Sequence, residues 1–298
     1  MNKYIWLLFG IFYTALGVGQ CLEGDCVNGF GKFACDCGYV YEGNFVNGSR
    51  TTGILTKSDL VYEGEFSNDL AHGLGVIRYI DGSWYEGTFV ENYPDGYGGY
   101  HFSNGSKYLG EIQQGNFSGL GIEWWVGKDS SEIDTRIGHF EEDQLNGLGC
   151  SLGFDGEIHF GKYVKGAYVG FGFLINLNLE VVKAGNFKKK KHLENEIKFD
   201  YPEKGKVGLN GFSTGSFSYD LISDMDGGFM HLVESKKGIP YQVMIYDKRN
   251  QLFYLSSEGT PKYGYAIKFT GEIYFANLET EYSNKIILGE LRYAKNEY

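Results

Sequence analysis

A glycine flanked by two aromatic residues returns along the chain at nearly constant intervals. The pattern aromatic-x-Gly-x-aromatic appears as Tyr41-Glu42-Gly43-Asn44-Phe45, Tyr62-Glu63-Gly64-Glu65-Phe66 and Tyr85-Glu86-Gly87-Thr88-Phe89. Looser copies centre on Gly110, preceded by Tyr108, and on Gly138, Gly161 and Gly185. The seven glycines are separated by 21, 23, 23, 28, 23 and 24 residues. A second element, Gly-x-Gly, follows the anchor at a fixed distance: Gly73, Gly96, Gly119, Gly147 and Gly170 each lie nine residues beyond it. The one long interval gains its residues around Lys128–Asp134, which reads as an enlarged turn. A period of this size marks an architecture in which each unit is one supersecondary element stacked on the next.

The composition inside the repeat identifies that element as a β-hairpin. In a strand, residues i, i+2 and i+4 share a face, so Tyr62, Gly64 and Phe66 point one way and Glu63 and Glu65 the other. Tyr41, Phe45, Tyr62, Phe66, Tyr85, Phe89 and Tyr108 thus form an aromatic face that is either core or interaction surface. A glycine between two rings leaves room for a ring to lie over the sheet, and aromatic cross-strand pairs contribute about 0.2–1 kcal/mol each. Asp81-Gly82, Asn104-Gly105 and Asp155-Gly156 have the dipeptide expected of type I′ hairpin turns.

The string Tyr62-Glu63-Gly64-Glu65-Phe66 followed by His72-Gly73-Leu74-Gly75 resembles the MORN repeat family. The resemblance covers roughly residues 22–187. It implies an all-β fold, an elongated, curled antiparallel meander of stacked hairpins. It also implies an interaction module rather than an enzyme. Asp95, Ser118, Asn146 and Val169 stand where the second element of the first copy has His72, so the glycines are the shared feature and no His-based chemistry is implied.

Four segments follow. Residues 1–19 read as an export signal: Lys3, an apolar stretch from Tyr4 to about Leu16, then Gly17 and Gly19, with cleavage after Gly19. An apolar run of about 13–16 residues is short for a membrane span, which needs about 20. A lipid anchor at Cys21 is disfavoured by Gln20 in the position where a small residue is required. Residues 20–40 are a cysteine-rich cap with a partial repeat, and Cys21, Cys26, Cys35 and Cys37 are candidates for disulfides in an oxidising compartment, their connectivity open. Residues 41–187 are the repeat array. Residues 188–298 hold diverged β-hairpins that form either a cap or a separate β domain, with strands expected at 241–246, 251–256, 263–269, 272–276 and 285–293.

The rest of the chain narrows the function. A net charge of -11 disfavours nucleic acid and anionic lipid surfaces. The basic cluster Lys188–Lys191 reads as a solvated loop. No nucleotide loop, EF-hand register, nucleophile elbow or metal-ligand spacing is present, so neither catalytic residue, metal nor cofactor is expected. One glutamate per repeat, as at Glu42, Glu63, Glu86 and Glu111, describes a solvated face rather than a catalytic pair. Asn47-Gly48-Ser49, Asn104-Gly105-Ser106 and Asn116-Phe117-Ser118 match the glycosylation acceptor pattern. The expectation is an exported, non-enzymatic scaffold with a protein partner. A membrane surface and a glycan, stacked on Trp84, Trp124 or Trp125, are the alternatives.

Overall fold

The computed structural model describes residues 19–127, 133–153, 156–175, 181–188 and 191–192. Beyond these it describes 206–214, 217–224, 229–237, 239–247, 252–257, 260–268, 273–278 and 286–288. The export signal up to residue 18, the residues 128–132 of the enlarged turn, residues 189–190 of the basic cluster and Asp155 lie outside them.

Among the described residues the regular structure is all strand. The first part comprises β1 (Gly19–Gly24), β2 (Phe30–Cys35), β3 (Val40–Val46), β4 (Ser49–Thr56), β5 (Leu60–Ser67), β6 (Leu70–Tyr79), β7 (Trp84–Val90) and β8 (Tyr93–His101). It continues with β9 (Lys107–Gln113), β10 (Asn116–Val126), β11 (Ile133–Glu141), β12 (Gln144–Leu152), β13 (Ile158–Val164), β14 (Ala167–Ile175), β15 (Val181–Lys188) and β16 (Lys191–His192). These 16 strands form one sheet in sequence order, an open antiparallel meander. It is this connectivity that bears out the hairpin-repeat fold.

The strands of the tail pair among themselves. They are β17 (Lys206–Thr214), β18 (Phe217–Asp224), β19 (Phe229–Lys236), β20 (Ile239–Asp247), β21 (Leu252–Ser257), β22 (Thr260–Lys268), β23 (Ile273–Leu278) and β24 (Ile286–Leu288), a second sheet of 8 strands in sequence order. The chain divides into two compact units, residues 1–119 and 120–298, so the second unit contains the later part of the array together with the second sheet.

Register explains the repeat. Gly64 pairs with Gly75, Gly75 with Gly87, Gly87 with Gly98 and Gly98 with Gly110, so the anchor glycine meets the second glycine of each Gly-x-Gly in one row across the sheet. In the second unit the row runs Gly138, Gly149, Gly161, Gly172, Gly185. The first glycine of the pair has another task. The register slips between Gly64 and Phe66, a β-bulge at Glu65, and Gly73 opposite it takes φ +68°, a conformation that glycine adopts without strain.

The hairpins alternate between two turn types. Turns inside a repeat are two-residue type I′ turns, as at Asn47 (φ 51°) and Gly48 (φ 78°), or Asn68 (φ 51°) and Asp69 (φ 62°). Type I′ was expected instead at Asp81-Gly82 and Asn104-Gly105, and there the structure differs: only Gly82 and Gly105 have positive φ. These are three-residue loops closed by Gly82 N–H donating to Tyr79 O at 3.0 Å and Tyr79 N–H to Ser83 O at 2.9 Å. The cause is local: Asp81 Oδ1 accepts the Ser83 N–H at 2.8 Å and Asn104 Oδ1 the Ser106 N–H at 3.0 Å. Each side chain thereby builds an Asx turn that keeps its own residue at negative φ.

Successive turns are tied together. Gly115 N–H donates to Pro94 O at 2.8 Å and Gly166 N–H to Leu145 O at 2.9 Å, each reaching back to the preceding hairpin. Asp95 Oδ2 and Asn146 Oδ1 accept the N–H groups of Gln114 (3.0 Å) and Lys165 (3.3 Å) in the same way.

A methyl group added at Gly75 would lie 2.6 Å from the Tyr62 hydroxyl and 2.7 Å from its ring, whereas at Gly99 the nearest atom is Leu109 Cδ1 at 3.5 Å. Gly75→Ala is therefore expected to cost about 1–3 kcal/mol through overpacking. Gly99→Ala is expected to leave stability within about 0.5 kcal/mol. Urea unfolding curves of the two variants, compared by midpoint at constant slope, check this.

Candidate interaction face

The aromatic face is core. Tyr41, Tyr62, Tyr85 and Tyr108 are buried, as are Phe45, Phe66 and Phe89. Their rings meet edge to face along the array: Tyr41 on Phe66 at 5.3 Å, Tyr62 on Phe66 at 5.0 Å, Tyr62 on Phe89 at 5.0 Å and Tyr85 on Phe89 at 5.2 Å. Tyr41, Tyr62 and Tyr85 fold back over the glycine row, and all four hydroxyls donate to the carbonyl three residues on: Asn44 (3.0 Å), Glu65 (2.8 Å), Thr88 (3.0 Å) and Glu111 (2.8 Å). Those carbonyls belong to the positions next to the anchor glycine, where the bulges at Glu65 and Thr88 interrupt the ladder, so the ring fills the space above the glycines while its polar tip serves a buried acceptor.

Burial drives the tyrosine hydroxyls up; Tyr41 is pushed to about 12, desolvation outweighing the opposing charge of Arg50, and Tyr62 and Tyr163 are raised further. The buried Arg50 guanidinium lies 5.1 Å from the Phe66 ring centre and 5.2 Å from that of Tyr39, and its Nε contacts Asp69 Oδ1 at 3.2 Å. Sequence reasoning missed this pair, because Arg50 and Asp69 are 19 residues apart and belong to different hairpins.

In the second unit other residues take over the face. Tyr168, on the returning strand, covers Gly172 and donates to Phe160 O at 3.1 Å and Phe173 O at 3.2 Å. Arg136 stands in the tyrosine position and contacts Glu123 Oε2 at 3.4 Å and Asp134 Oδ2 at 3.1 Å. Burial holds the Glu123 carboxyl above its usual range against the pull of Arg136.

The opposite face distinguishes the two units. In residues 1–119 one cross-strand row runs Glu42, Ile54, Glu63, Val76, Glu86, Gly99, Leu109. Its glutamates are exposed, and Ile54 (41%) and the adjacent Leu74 (46%) are open to solvent between them. Lys32 pairs with Glu42 at 3.2 Å and Arg78 with Glu63 at 3.9 Å, both at the surface. A second row on this face aligns Arg78, Trp84, His101 and Lys107, with the Trp84 ring stacked on His101 at 3.6 Å. Trp84 is therefore engaged by its own sheet.

In residues 120–298 the corresponding row is Ile137, Cys150, Phe160, Phe173, and every member is at most 2% exposed. Phe160 meets Phe253 of β21 edge to face at 6.1 Å, which brings this strand of the second sheet against the face. The lone Cys150 belongs to that covered layer, where burial pushes its thiol up to about 12. The candidate residues of the cap are joined as Cys21–Cys26 and Cys35–Cys37. Among the described residues no group of three or more His, Cys, Asp or Glu side chains is placed to hold a metal ion, and no helix is long and apolar enough to cross a membrane.

Stacked hairpins in one continuous meander, with a buried tyrosine–glycine ladder and a fixed register, define a tandem β-hairpin repeat protein. The MORN repeat family model matches residues 62–84, 85–107, 108–130 and 137–158. Four MORN repeats thus lie within residues 62–158, and three of them open on Tyr62, Tyr85 and Tyr108. Comparison with curated proteins finds no match to the chain.

The Cys150 thiol is expected to resist alkylation in the native protein at pH 8 and to react only on unfolding, as intact mass after iodoacetamide would read. Alkaline stability follows from the tyrosines. The unfolded chain releases their protons near pH ~10, whereas folded Tyr41 holds its proton to about 12. Over that window the folded state binds more protons, so stability falls as pH rises. The tyrosinate absorbance of the buried rings is expected to appear together with the loss of the strand circular dichroism signal, after that of exposed tyrosines such as Tyr93. Complete tyrosine ionisation before any loss of that signal would contradict the buried placement.

Proposed function

We propose that this is an exported, non-enzymatic scaffold that binds another protein through the solvent-exposed sheet face of residues 40–113. The observation that carries this reading is the contrast between the two units. The same row of outward positions is apolar and covered where the second sheet lies, and is open where it mixes exposed Ile54 and Leu74 with Glu42, Glu63 and Glu86. MORN repeats are commonly protein- or membrane-binding modules, and the acid-rich surface favours a protein over an anionic membrane. The buried tyrosines cannot be the contact surface without dismantling the core. Two disulfides close to the N-terminus of the described chain accord with an oxidising compartment, and the export reading has residues 1–19 removed on the way there. The tail, residues 188–298, supplies a cover for the second half of the array rather than a separate activity.

The test is crosslinking and affinity capture of residues 20–298 from the native envelope fraction, with mass spectrometry of the crosslinked residues. One reproducible protein crosslinked to β4–β7 is expected. The double variant Glu63→Lys with Glu86→Lys is expected to lose it, tenfold or more, while keeping the wild-type unfolding free energy within about 0.5 kcal/mol. Recovery of lipid or glycan alone, or capture unchanged in the variant, would reject this face.

A further inference from the structure

Three segments have the acceptor pattern for N-linked glycosylation, and the fold separates them. Asn47 is the first residue of the type I′ turn between β3 and β4 and is exposed, with φ 51°. Its backbone N–H is held by Asn28 Oδ1 at 2.9 Å, so the turn is braced without using the side-chain amide. Asn104 is exposed in the turn between β8 and β9. Its Oδ1 accepts the Ser106 N–H at 3.0 Å, so the bond that braces this turn uses the oxygen and not the amide nitrogen. Asn116 is different. It lies in β10, half-buried, its Nδ2 donates to Gln114 O at 3.3 Å, and the following Phe117 is buried with its ring stacked on Tyr108 at 3.7 Å.

We propose that Asn47 and Asn104 are N-glycosylated and that Asn116 is not. The proposal rests on the export reading, since the transfer takes place in the lumen of a secretory compartment. The donor is a polyprenyl-pyrophosphate-linked oligosaccharide. The Asn Nδ2 forms a bond to the anomeric carbon, the bond from that carbon to the phosphate oxygen breaks, and the amide proton leaves with the pyrophosphate. No electrons are exchanged. The placement of the two sites gives a second reason. Val27 and Val46, which flank Asn47, are 56% and 55% exposed, and Ile80, in the neighbouring turn at the same end of the hairpins as Asn104, is 82% exposed. A glycan at each turn would screen apolar side chains that the fold itself leaves open, and the one at Asn47 stands at the end of the sheet that begins, among the described residues, with the exposed strand β1.

The experiment expresses the full chain with its own N-terminus in eukaryotic secretory cells and measures the mobility shift on treatment with peptide-N-glycosidase. A shift equal to two glycans is expected. Asn47→Gln and Asn104→Gln should each remove one, the double variant both, and Asn116→Gln none. An exported, disulfide-bonded chain with no shift would overturn the proposal, as would loss of a glycan in Asn116→Gln. If the chain stays in the cytosol with its first 19 residues attached, the export reading has failed. The same full chain behind the leader of a secreted protein then decides the two sites by themselves, with the same expected and overturning shifts.

Discussion

A tyrosine ring laid across two paired glycines is the contact on which this sheet depends. Two backbones without side chains leave a shallow trough, the ring fills it, and the hydroxyl at its far end meets the carbonyl of the neighbouring bulged or shifted position. Apolar and polar requirements are thus met by one side chain, and neither can be met if a methyl group occupies the trough. The bulge, the positive-φ glycine opposite it and the fixed eleven-residue step from Gly64 to Gly75 all follow from bringing ring, trough and carbonyl together. The edge-to-face phenylalanines then link one such assembly to the next. A hairpin alone is marginal in water, and it is this sharing of rings between neighbours that makes the array stable.

A single sheet has two faces, and the tyrosines settle only one. On the other, the row of positions before each anchor glycine changes character along the chain, from Glu42, Glu63 and Glu86 through Leu109 to Ile137 and Phe160. Where it is apolar, the second sheet packs against it through Phe253. Where it is acidic, water is its neighbour in the isolated chain. The protein therefore combines a stretch that behaves as a two-layered core with a stretch that presents a surface, and the division is made by one residue type per repeat.

Most of the array was legible in the sequence because its determinants are local: a period of two along a strand, a period of about 23 between hairpins, and glycines at fixed offsets. The turns were legible in kind but not in type. Asn-Gly and Asp-Gly suit type I′, yet the Asx hydrogen bonds from Asp81 and Asn104 select a longer loop, and type I′ falls at Glu91-Asn92 and Glu142-Asp143, which carry no glycine. Whether the tyrosine face was core or contact surface could not be decided by pattern, since both readings place rings on one side; burial decides it. The Arg50–Asp69 pair and the packing of Phe160 on Phe253 depend on partners that spacing does not specify. The change from glutamate to apolar residues before the anchor glycine was present in the sequence, and it is the signal by which the covered segment could have been found.

The glycine row also governs how such a chain can change in length. Because the hairpins within each unit meet their neighbours through the same glycine pairing, a whole repeat can be duplicated or lost without disturbing the register on either side, whereas a single-residue slip would send every ring to the wrong face. The freedom is unequal along the array. A copy of the hairpin around Glu63 would lengthen the open face and find solvent waiting for its glutamates. A copy of the one around Phe160 would outgrow the sheet that shelters it and leave an apolar strip bare. Duplication is thus tolerated towards the first repeats and penalised towards the last, so that a lineage of such proteins would vary in reach at one end and keep a constant length at the other.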